Sequence, residues 1–494
     1  MTAWPFDTVL VANRGEIAAR IVRSVRACGL KAAVVHHAAD AGAPALALAD
    51  TCIAIDGPTP VAAYLDAAQI VDAARRCGAG AVHPGYGFLS ENAGFARACA
   101  AAGIVFVGPT PEAIELMGDK VRARRFVHQQ GFPVAPSAVE DDDPASFVER
   151  ARAVGFPLLI KPAAGGGGKG MRIVRDDAAL APEIERARSE ARRSFGDERL
   201  YVERYVERPR HIEVQVLGDR HGQLVHLFER ECSVQRRFQK IVEESPSPAL
   251  DDAQRQAICV TAAGIARAAG YVNAGTVEFI FGAGGEYYFL EMNTRLQVEH
   301  PVTEARLGLD LVALQLRIAA GEPLPFAQAD LQPRGHAIEF RVCAEDAAAG
   351  YLPTTGPVLA LREPMGPGIR IDAGVRAGQV VGAAFDPLLA KLVVSGDDRA
   401  SVLARADAAL RDTVLLGCKT NLGFLRRLLQ HPAFVAGDIH TGFLDQHPEI
   451  AAEPALTEAQ LQALLAAAAL ACRPVKDAAD AVPALHAAMG AWRN

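Results

Sequence analysis

The stretch Glu291 to Glu299 (EMNTRLQVE) alternates strictly in polarity. Glu291, Asn293, Arg295, Gln297 and Glu299 share one parity; Met292, Thr294, Leu296 and Val298 share the other. An extended segment sends alternate side chains to opposite faces, so this run reads as a polar working face backed by a mostly apolar one. Just upstream, TVEFIF and EYYFLEM flank Gly282-Ala283-Gly284-Gly285, which predicts a β-hairpin. Pairing Phe281 with Glu286 sets Glu278 opposite Phe289 and Glu291 opposite Thr276. Glu278 and Glu291 are then diagonal neighbours, about 7–8 Å apart at the backbone, with Asn293 one step further along the same face. Two carboxylates and an amide oxygen suit a hard cation such as Mg²⁺. An exposed polar sheet face would show the same pattern, and the hairpin alone leaves both readings open.

The elements that must position these residues are bounded by composition. At about 150 residues per domain, 494 residues correspond to about three domains. Half the residues are hydrophobic and 22% are charged, an ordinary globular balance. A net charge of -7 argues against a nucleic-acid protein. No apolar run reaches the ~18 residues of a membrane span. The start, MTAWPFDTVLVANRG, has no charged region followed by an apolar one, so no secretory signal is expected. Nine cysteines without a CxxC pair read as reduced thiols of a cytoplasmic protein.

Residues 1 to about 113 alternate strand and helix: TVLVA, KAAVV, TCIAI, AVHP and IVFVG are strands, with a first helix from Glu16 to Cys28. Such alternation implies an open parallel sheet covered by helices. The first turn, Asn13-Arg14-Gly15-Glu16, is not a dinucleotide fingerprint. The loop His83-Pro84-Gly85-Tyr86-Gly87 follows a strand, where open α/β sheets place ligands, so Tyr86 is read as ligand-facing. A helix is expected from Glu112 to Gln130, and Asp143-Pro144 reads as a cap and first helical position. Strand LLIKP then enters Gly165-Gly166-Gly167-Gly168-Lys169-Gly170, followed by strand MRIV. A strand after the glycines fails the Rossmann context, and Gly170 stands where a P-loop needs Ser or Thr. A glycine loop between strands can fold over phosphates with bare N–H groups, with Lys161 and Lys169 adding charge. LYVERYV (200–206) and HIEVQVL are strands; a chain crossing between lobes near 200–206 could offer backbone groups to a purine. Glu229 to Lys240 is a dense charged cluster between predicted strands and could bind an anion. A helix is expected from Pro301 to Ala320, a strand over 335–346 with Glu339, Arg341 and Cys343 on one parity, and helices over 399–416 and 420–429. Thr457-Glu458-Ala459-Gln460 is a capping box opening an alanine–leucine helix that ends at Arg473-Pro474.

HPGYGFLSEN (83–92), MGDK (117–120), KPAAGGGGKGMR (161–172), ERECSVQRR (229–237), EMNTRLQVEHPVTE (291–304) and the Arg341 strand together resemble biotin carboxylase, an ATP-grasp enzyme. The resemblance runs from about 4 to 445 in unbroken order. It implies an α/β and α+β architecture: an N-terminal Rossmann-like α/β domain (1–114), an ATP-grasp region (115–334) with a glycine-rich lid at about 135–205, a C-terminal mixed domain (335–447), and a helical tail or start of a further domain (448–494). It implies ATP- and bicarbonate-dependent carboxylation of biotin through carboxyphosphate. By resemblance, Lys120, Lys161 and Gly165 to Gly168 hold ATP phosphates. Glu203 with the backbone of Arg204 to Val206 holds adenine, and His211 the ribose. Glu278, Glu291 and Asn293 bind Mg²⁺ (or Mn²⁺). Lys240, Arg295, Gln297 and the Val298 backbone hold bicarbonate, Glu299 is the base, and Tyr86 and Arg341 lie near biotin.

Three positions depart from the family pattern: Phe238 stands where a His is common, Phe385 replaces a common Tyr, and His36-His37 follow the second strand. No Met adjoins a Lys, so the biotin-bearing motif is missing and biotin is expected on another domain or subunit. The resemblance implies a biotin carboxyl carrier, a carboxyltransferase and a homodimer or larger complex as partners. The tail resembles the segment after this module in acyl-CoA carboxylase α-subunits, so the chain is expected to be either a stand-alone subunit or the front of a longer one. Rival readings are an ATP-grasp ligase joining a carboxylate and an amine, and an inactive scaffold. The RxQxE run after EMN opposes the first; Lys240, Arg295 and Glu299 oppose the second. Glu291 to Glu299 fully extended would span about 26 Å, too far for metal, bicarbonate and base to share a site. The strand is therefore expected to end near Asn293 or Thr294, with Arg295 to Glu299 curling back.

Overall fold

The computed structural model describes residues 4–140, 143–162, 171–195, 197–237 and 239–471. The glycine loop Gly165 to Gly168, Lys169, Phe238 and the Arg473-Pro474 stop lie outside the described residues. Residues Met1–Ala451 form one compact unit and Ala452–Asn494 another. In the second, Glu458–Ala471 is a helix, and its capping box is present: Gln460 N–H donates to Thr457 Oγ1 (3.2 Å) and Thr457 N–H to Gln460 Oε1 (2.9 Å).

The first unit opens with a five-stranded parallel sheet in the order Thr51–Ala54, Lys31–His36, Thr8–Val11, Ala81–His83, Val105–Phe106. Its strands are short and its centre is buried, as expected of a sheet covered on both faces. The strand order reverses between Thr8–Val11 and Ala81–His83. The loops leaving these two strands meet there: Asn13 Nδ2 donates to Pro84 O (2.6 Å) and Tyr86 O (2.7 Å). Gly85 is obligatory at this contact, because its φ is +64° and a Cβ would lie 2.8 Å from Asn13 Nδ2.

The second sheet has eight strands, all neighbours antiparallel: Tyr287–Asn293, Asn273–Phe281, Arg210–Gly218, Leu224–Arg236, Gln239–Ser245, His336–Cys343, Leu388–Gly396 and Ile369–Ala373. It runs unbroken across residue 335. A four-stranded sheet, in the order Ser137–Val139, Leu200–Arg204, Leu158–Pro162, Arg172–Val174, packs with helices Phe147–Val154 and Asp177–Phe195 around its own small core.

Several expected elements are corrected. The 112–130 helix is two, Pro111–Gly118 and Lys120–Gln129, because Asp119 leaves helical geometry and caps the second by accepting from Arg122 N–H (2.9 Å). The 301–320 helix is also two, His300–Leu307 and Leu311–Ala319; Gly308 takes a left-handed φ of +66° and Asp310 caps the restart. The 399–416 helix stops at Asp412, and Val414–Leu416 pairs as a strand with Ala360–Arg362. The 229–240 cluster is not a connection between strands: residues 229–236 complete a 13-residue strand and Gln239 starts the next.

Candidate active site

The hairpin register differs from the expected one. Phe281 faces Tyr287 and Phe279 faces Phe289, but an irregularity between Glu278 and Phe279 leaves Leu290 unpaired. One extra residue in one strand shifts all later pairs. Glu278 and Glu291 are thus directly opposite, and Asn293 faces Thr276. The hairpin loop also keeps Gly282 N–H on Glu286 O (2.8 Å), moving the turn by one residue.

The rung continues across the sheet: Glu291 faces Glu278, Glu278 faces Glu213, and Glu213 faces Arg230. Like charges directly opposite repel, so cations must intervene. Lys240 supplies one: its Nζ lies 2.5 Å from Glu213 Oε2, 2.8 Å from Glu278 Oε1 and 2.7 Å from Glu299 Oε1. An ammonium has three donors, and three carboxylates use them all. Arg230, fully buried, supplies the other, with Nε on Glu213 (2.5 Å), NH1 on Gln215 and Thr303, and NH2 on Thr276 (2.9–3.1 Å). Burial alone would push the Glu278 and Glu299 carboxyls up. At Glu278 Lys240 and His211 together outweigh it, and at Glu299 Lys240, Arg341 and Arg230 together do, so both carboxyls are held well below the usual range. Burial likewise opposes the charge on Lys240, and Glu213, Glu278 and Glu299 overcome it.

The strand ends at Asn293, as the reach argument requires, and the chain turns. Gln297 Nε2 comes back to Glu278 Oε1 (2.9 Å) and Glu299 to Lys240. Arg341 completes the far side, with NH2 3.0 Å from Glu299 Oε2 and Nε 2.6 Å from Glu243 Oε1. Buried Glu243 is raised to about 7, the attraction of Arg341 only partly offsetting burial. Lys240, Gln297, Glu299 and Arg341 therefore converge with Glu278. Arg295 points elsewhere: Nε donates to Glu91 Oε2 (3.0 Å) and NH2 to Asn293 Oδ1 (2.8 Å).

Of the proposed metal ligands, Glu278 lies inside the cluster. Glu291 is held by Lys120 Nζ at 2.6 Å, and the Asn293 oxygen by Arg295. All three present oxygen donors on one face of adjacent strands, a donor set that fits Mg²⁺. His211 is drawn into the cluster, its Nε2 3.0 Å from Glu278 Oε2. Glu203 pairs with Lys161 and with Arg124 NH1 (3.1 Å). The Arg204 and Tyr205 N–H groups already donate to Pro136 O and Pro157 O (2.9 Å each), so the adenine donors expected there reduce to Val206 N–H. Tyr86 gives its hydroxyl to Glu16, and both line a cleft of about 390 Å³ together with Asn13, Arg14, Phe88 and Asp386. Phe385, the departure from the family pattern, carries the Arg14 guanidinium 3.8 Å above its ring.

Sequence reasoning missed Glu213, Arg230, Glu243 and Glu91. Glu213 carried a signal: in HIEVQVL it shares parity with His211 and Gln215 against Ile212, Val214 and Val216, whereas Arg230 shares parity with Cys232 and Val234, and Glu243 with Ile241. Glu91 sits in a loop and carried none.

The five antiparallel strands between Arg210 and Asn293, with this carboxylate–cation row, form the sheet of an ATP-grasp domain, and three strands of the following domain extend it. Residues 5–114 match the biotin carboxylase N-terminal domain, 119–327 the carbamoyl-phosphate synthase L chain ATP-binding domain, and 339–446 the biotin carboxylase C-terminal domain. A biotin carboxylase of Nostoc sp. is 44% identical over 444 residues, covering 89% of this chain and 99% of that one. The mitochondrial methylcrotonoyl-CoA carboxylase subunit alpha of Glycine max is 45% identical over 475 residues, 94% of this chain and 65% of the relative. The chain thus spans about two thirds of the length of that subunit. The biotin carboxylase domain dimer of the Hydrogenobacter thermophilus 2-oxoglutarate carboxylase, solved with MgADP, ADP and bicarbonate, superposes with a TM-score of 0.84 at 40% identity, covering 92% of this chain and all of that one. The chain belongs to the biotin carboxylase family.

Proposed function

We propose that this chain carboxylates biotin borne on a separate carrier domain or subunit, using ATP and bicarbonate and forming ADP, phosphate and carboxybiotin. The observation that carries the reading is Glu299 held between Lys240 and Arg341 on a turn that folds back onto Glu278. Bicarbonate is a poor nucleophile until it loses its proton, and a carboxylate beside it can take that proton. Glu299 is ionised in the free site, as a base must be. It is also a weak base there, because three cations stabilise its charge. A bicarbonate bound to Lys240 competes for that cation, which raises the proton affinity of Glu299 when the substrate is present.

The acceptor is a polyanionic triphosphate, so catalysis is mainly positioning and charge neutralisation. Lys120 and Lys161, each now on a carboxylate, are free to turn to phosphate oxygens as the nucleotide enters. Glu278, Glu291 and Asn293 would hold Mg²⁺, which neutralises phosphate charge when bound. His211, placed on Glu278, supports that carboxylate; its ribose role is secondary. Arg295, steered by Glu91, and Gln297 bind and orient bicarbonate with the Val298 N–H. Arg341 stabilises the ureido oxygen of biotin as it gains charge on losing the N1 proton, and Tyr86 borders the cleft for the ring.

The methylcrotonoyl-CoA carboxylase relative supports an acyl-CoA carboxylase as the complete enzyme, with a biotin carboxyl carrier and a carboxyltransferase as partners, and the dimer of the solved 2-oxoglutarate carboxylase domain supports a dimer of this chain. A cytoplasmic setting suits ATP-driven chemistry and cysteines without disulfides among the described residues. Among those residues no helix is long and apolar enough to cross a membrane. The test is ADP release with free biotin as acceptor: it should require both bicarbonate and biotin, and ATP turnover indifferent to both would remove the reading.

A further inference from the structure

The turn from Arg295 to Glu299 has no regular secondary structure, yet its two central peptides are anchored from outside the site. His300 is fully buried, and its Nδ1 lies 2.7 Å from Gln297 O. Lys391, also fully buried, donates from Nζ to Val298 O at 2.8 Å. Peptide units are planar. Fixing the Gln297 carbonyl therefore fixes the direction of the Val298 N–H, and fixing the Val298 carbonyl fixes the plane that leads into Glu299. Burial and the nearby cations Lys391, Arg20 and Arg370 keep the His300 imidazole neutral. A neutral ring facing a carbonyl through Nδ1 must carry its proton there.

Lys391 is itself held. Its Nζ lies 3.2 Å from Glu16 Oε2, and the other Glu16 oxygen accepts the Tyr86 hydroxyl. Lys391 sits directly opposite Asp372 on one neighbouring strand and Arg341 on the other. A path of hydrogen-bonded or paired groups thus runs Tyr86–Glu16–Lys391–Val298, from the switch-point loop of the parallel sheet to the turn that carries Glu299. A lone Lys inside the apolar strand LLAKLVV needs such partners to stay charged when buried.

We infer that Lys391 and His300 are positioning residues for the bicarbonate-binding turn: His300 aims the Val298 N–H, and Lys391 ties the turn to Glu16 and the Tyr86 loop. This rests on the proposed function and adds two residues that touch neither nucleotide nor bicarbonate. It predicts a defect in bicarbonate use at intact nucleotide binding.

The test compares wild type, His300→Gln, His300→Asn and Lys391→Met in the full chain, by KM for bicarbonate in ADP release and by ADP affinity. An Asn amide nitrogen stands roughly where Nδ1 does, while a Gln amide reaches toward Nε2. His300→Gln and Lys391→Met should raise the bicarbonate KM about tenfold or more, in line with the cost of a small misplacement of a binding group. His300→Asn should recover most of that loss, and ADP affinity should stay within about twofold in all of them. The His300 pair decides the matter even where Lys391→Met fails to fold. A bicarbonate KM unchanged in His300→Gln, or His300→Asn as impaired as His300→Gln, or a parallel loss of ADP affinity, would overturn the inference. A wild-type chain without bicarbonate dependence would instead remove the proposed function on which it rests.

Discussion

Two regions of the molecule use the same residue types to opposite ends. In the small four-stranded unit, Arg152 meets Asp177 at 2.6 Å and Arg175 meets Glu207, with every one of these side chains more than half exposed. On the eight-stranded sheet and the turn that folds back onto it, Glu213 and Glu299 are fully buried and Lys240 is 11% exposed. Exposed pairs gain little, because water solvates both partners nearly as well apart. Buried carboxylates have no such alternative: each must keep a cation or take up a proton. The difference teaches where ionic chemistry is held ready. The exposed pairs can be lost without consequence, whereas the buried row stores charge that only another charged group can redistribute.

The comparison is broken most severely by removing the shared cation. Lys240→Met leaves Glu213, Glu278 and Glu299 without their common partner, and should cost about 3–5 kcal/mol by calorimetry; a loss no larger than that of Arg175→Ala would erase the contrast. A smaller effect is expected for Glu299→Gln, about 1–3 kcal/mol at neutral pH, and its pH dependence has a definite sign. The Glu299 carboxyl ionises below its unfolded value near 4.3. The stability that this supplies is fully present above that value and is lost as pH falls through the folded value. The gap between wild type and Glu299→Gln should therefore be flat from about pH 8 to 5 and narrow below about 4.5; a gap that widens on acidification would contradict the pairing of Glu299 with Lys240, Arg341 and Arg230. Next, Glu91→Ala frees Arg295 from its half-exposed partner and should raise the bicarbonate KM about threefold while leaving ADP affinity unchanged. Smallest of all, Arg175→Ala should leave melting temperature and activity at wild-type values.

Much of this was readable in the sequence because the signals are local. The polar parity of 291–299, the hairpin glycines and the reach limit together placed the strand end near Asn293 or Thr294, and it lies at Asn293. The α/β alternation gave the parallel sheet, and the His83 to Gly87 loop was expected at the end of its strand. What escaped is non-local. The Leu290 irregularity shifted the hairpin register, turning a diagonal carboxylate pair into a direct one. Two helices were broken where helical periodicity continues on both sides, one by the cap Asp119 and one by the left-handed Gly308 followed by the cap Asp310. The joining of 239–245 to 336–343, which brings Arg341 to Glu243, depends on a pairing between strands about a hundred residues apart. No pattern within either strand names its partner. The exposed acid at Glu91 reaches Arg295 across 204 positions and leaves no trace in spacing.

The central claim is that Glu299 takes the bicarbonate proton inside this buried row. Its most direct measurement is bicarbonate-dependent ADP release by Glu299→Gln beside wild type, with ADP binding measured on the same samples. The amide keeps the shape but cannot accept the proton, so the rate should fall about 10²- to 10⁴-fold with ADP affinity preserved. A Glu299→Gln chain that binds ADP normally and retains the wild-type rate would contradict the account.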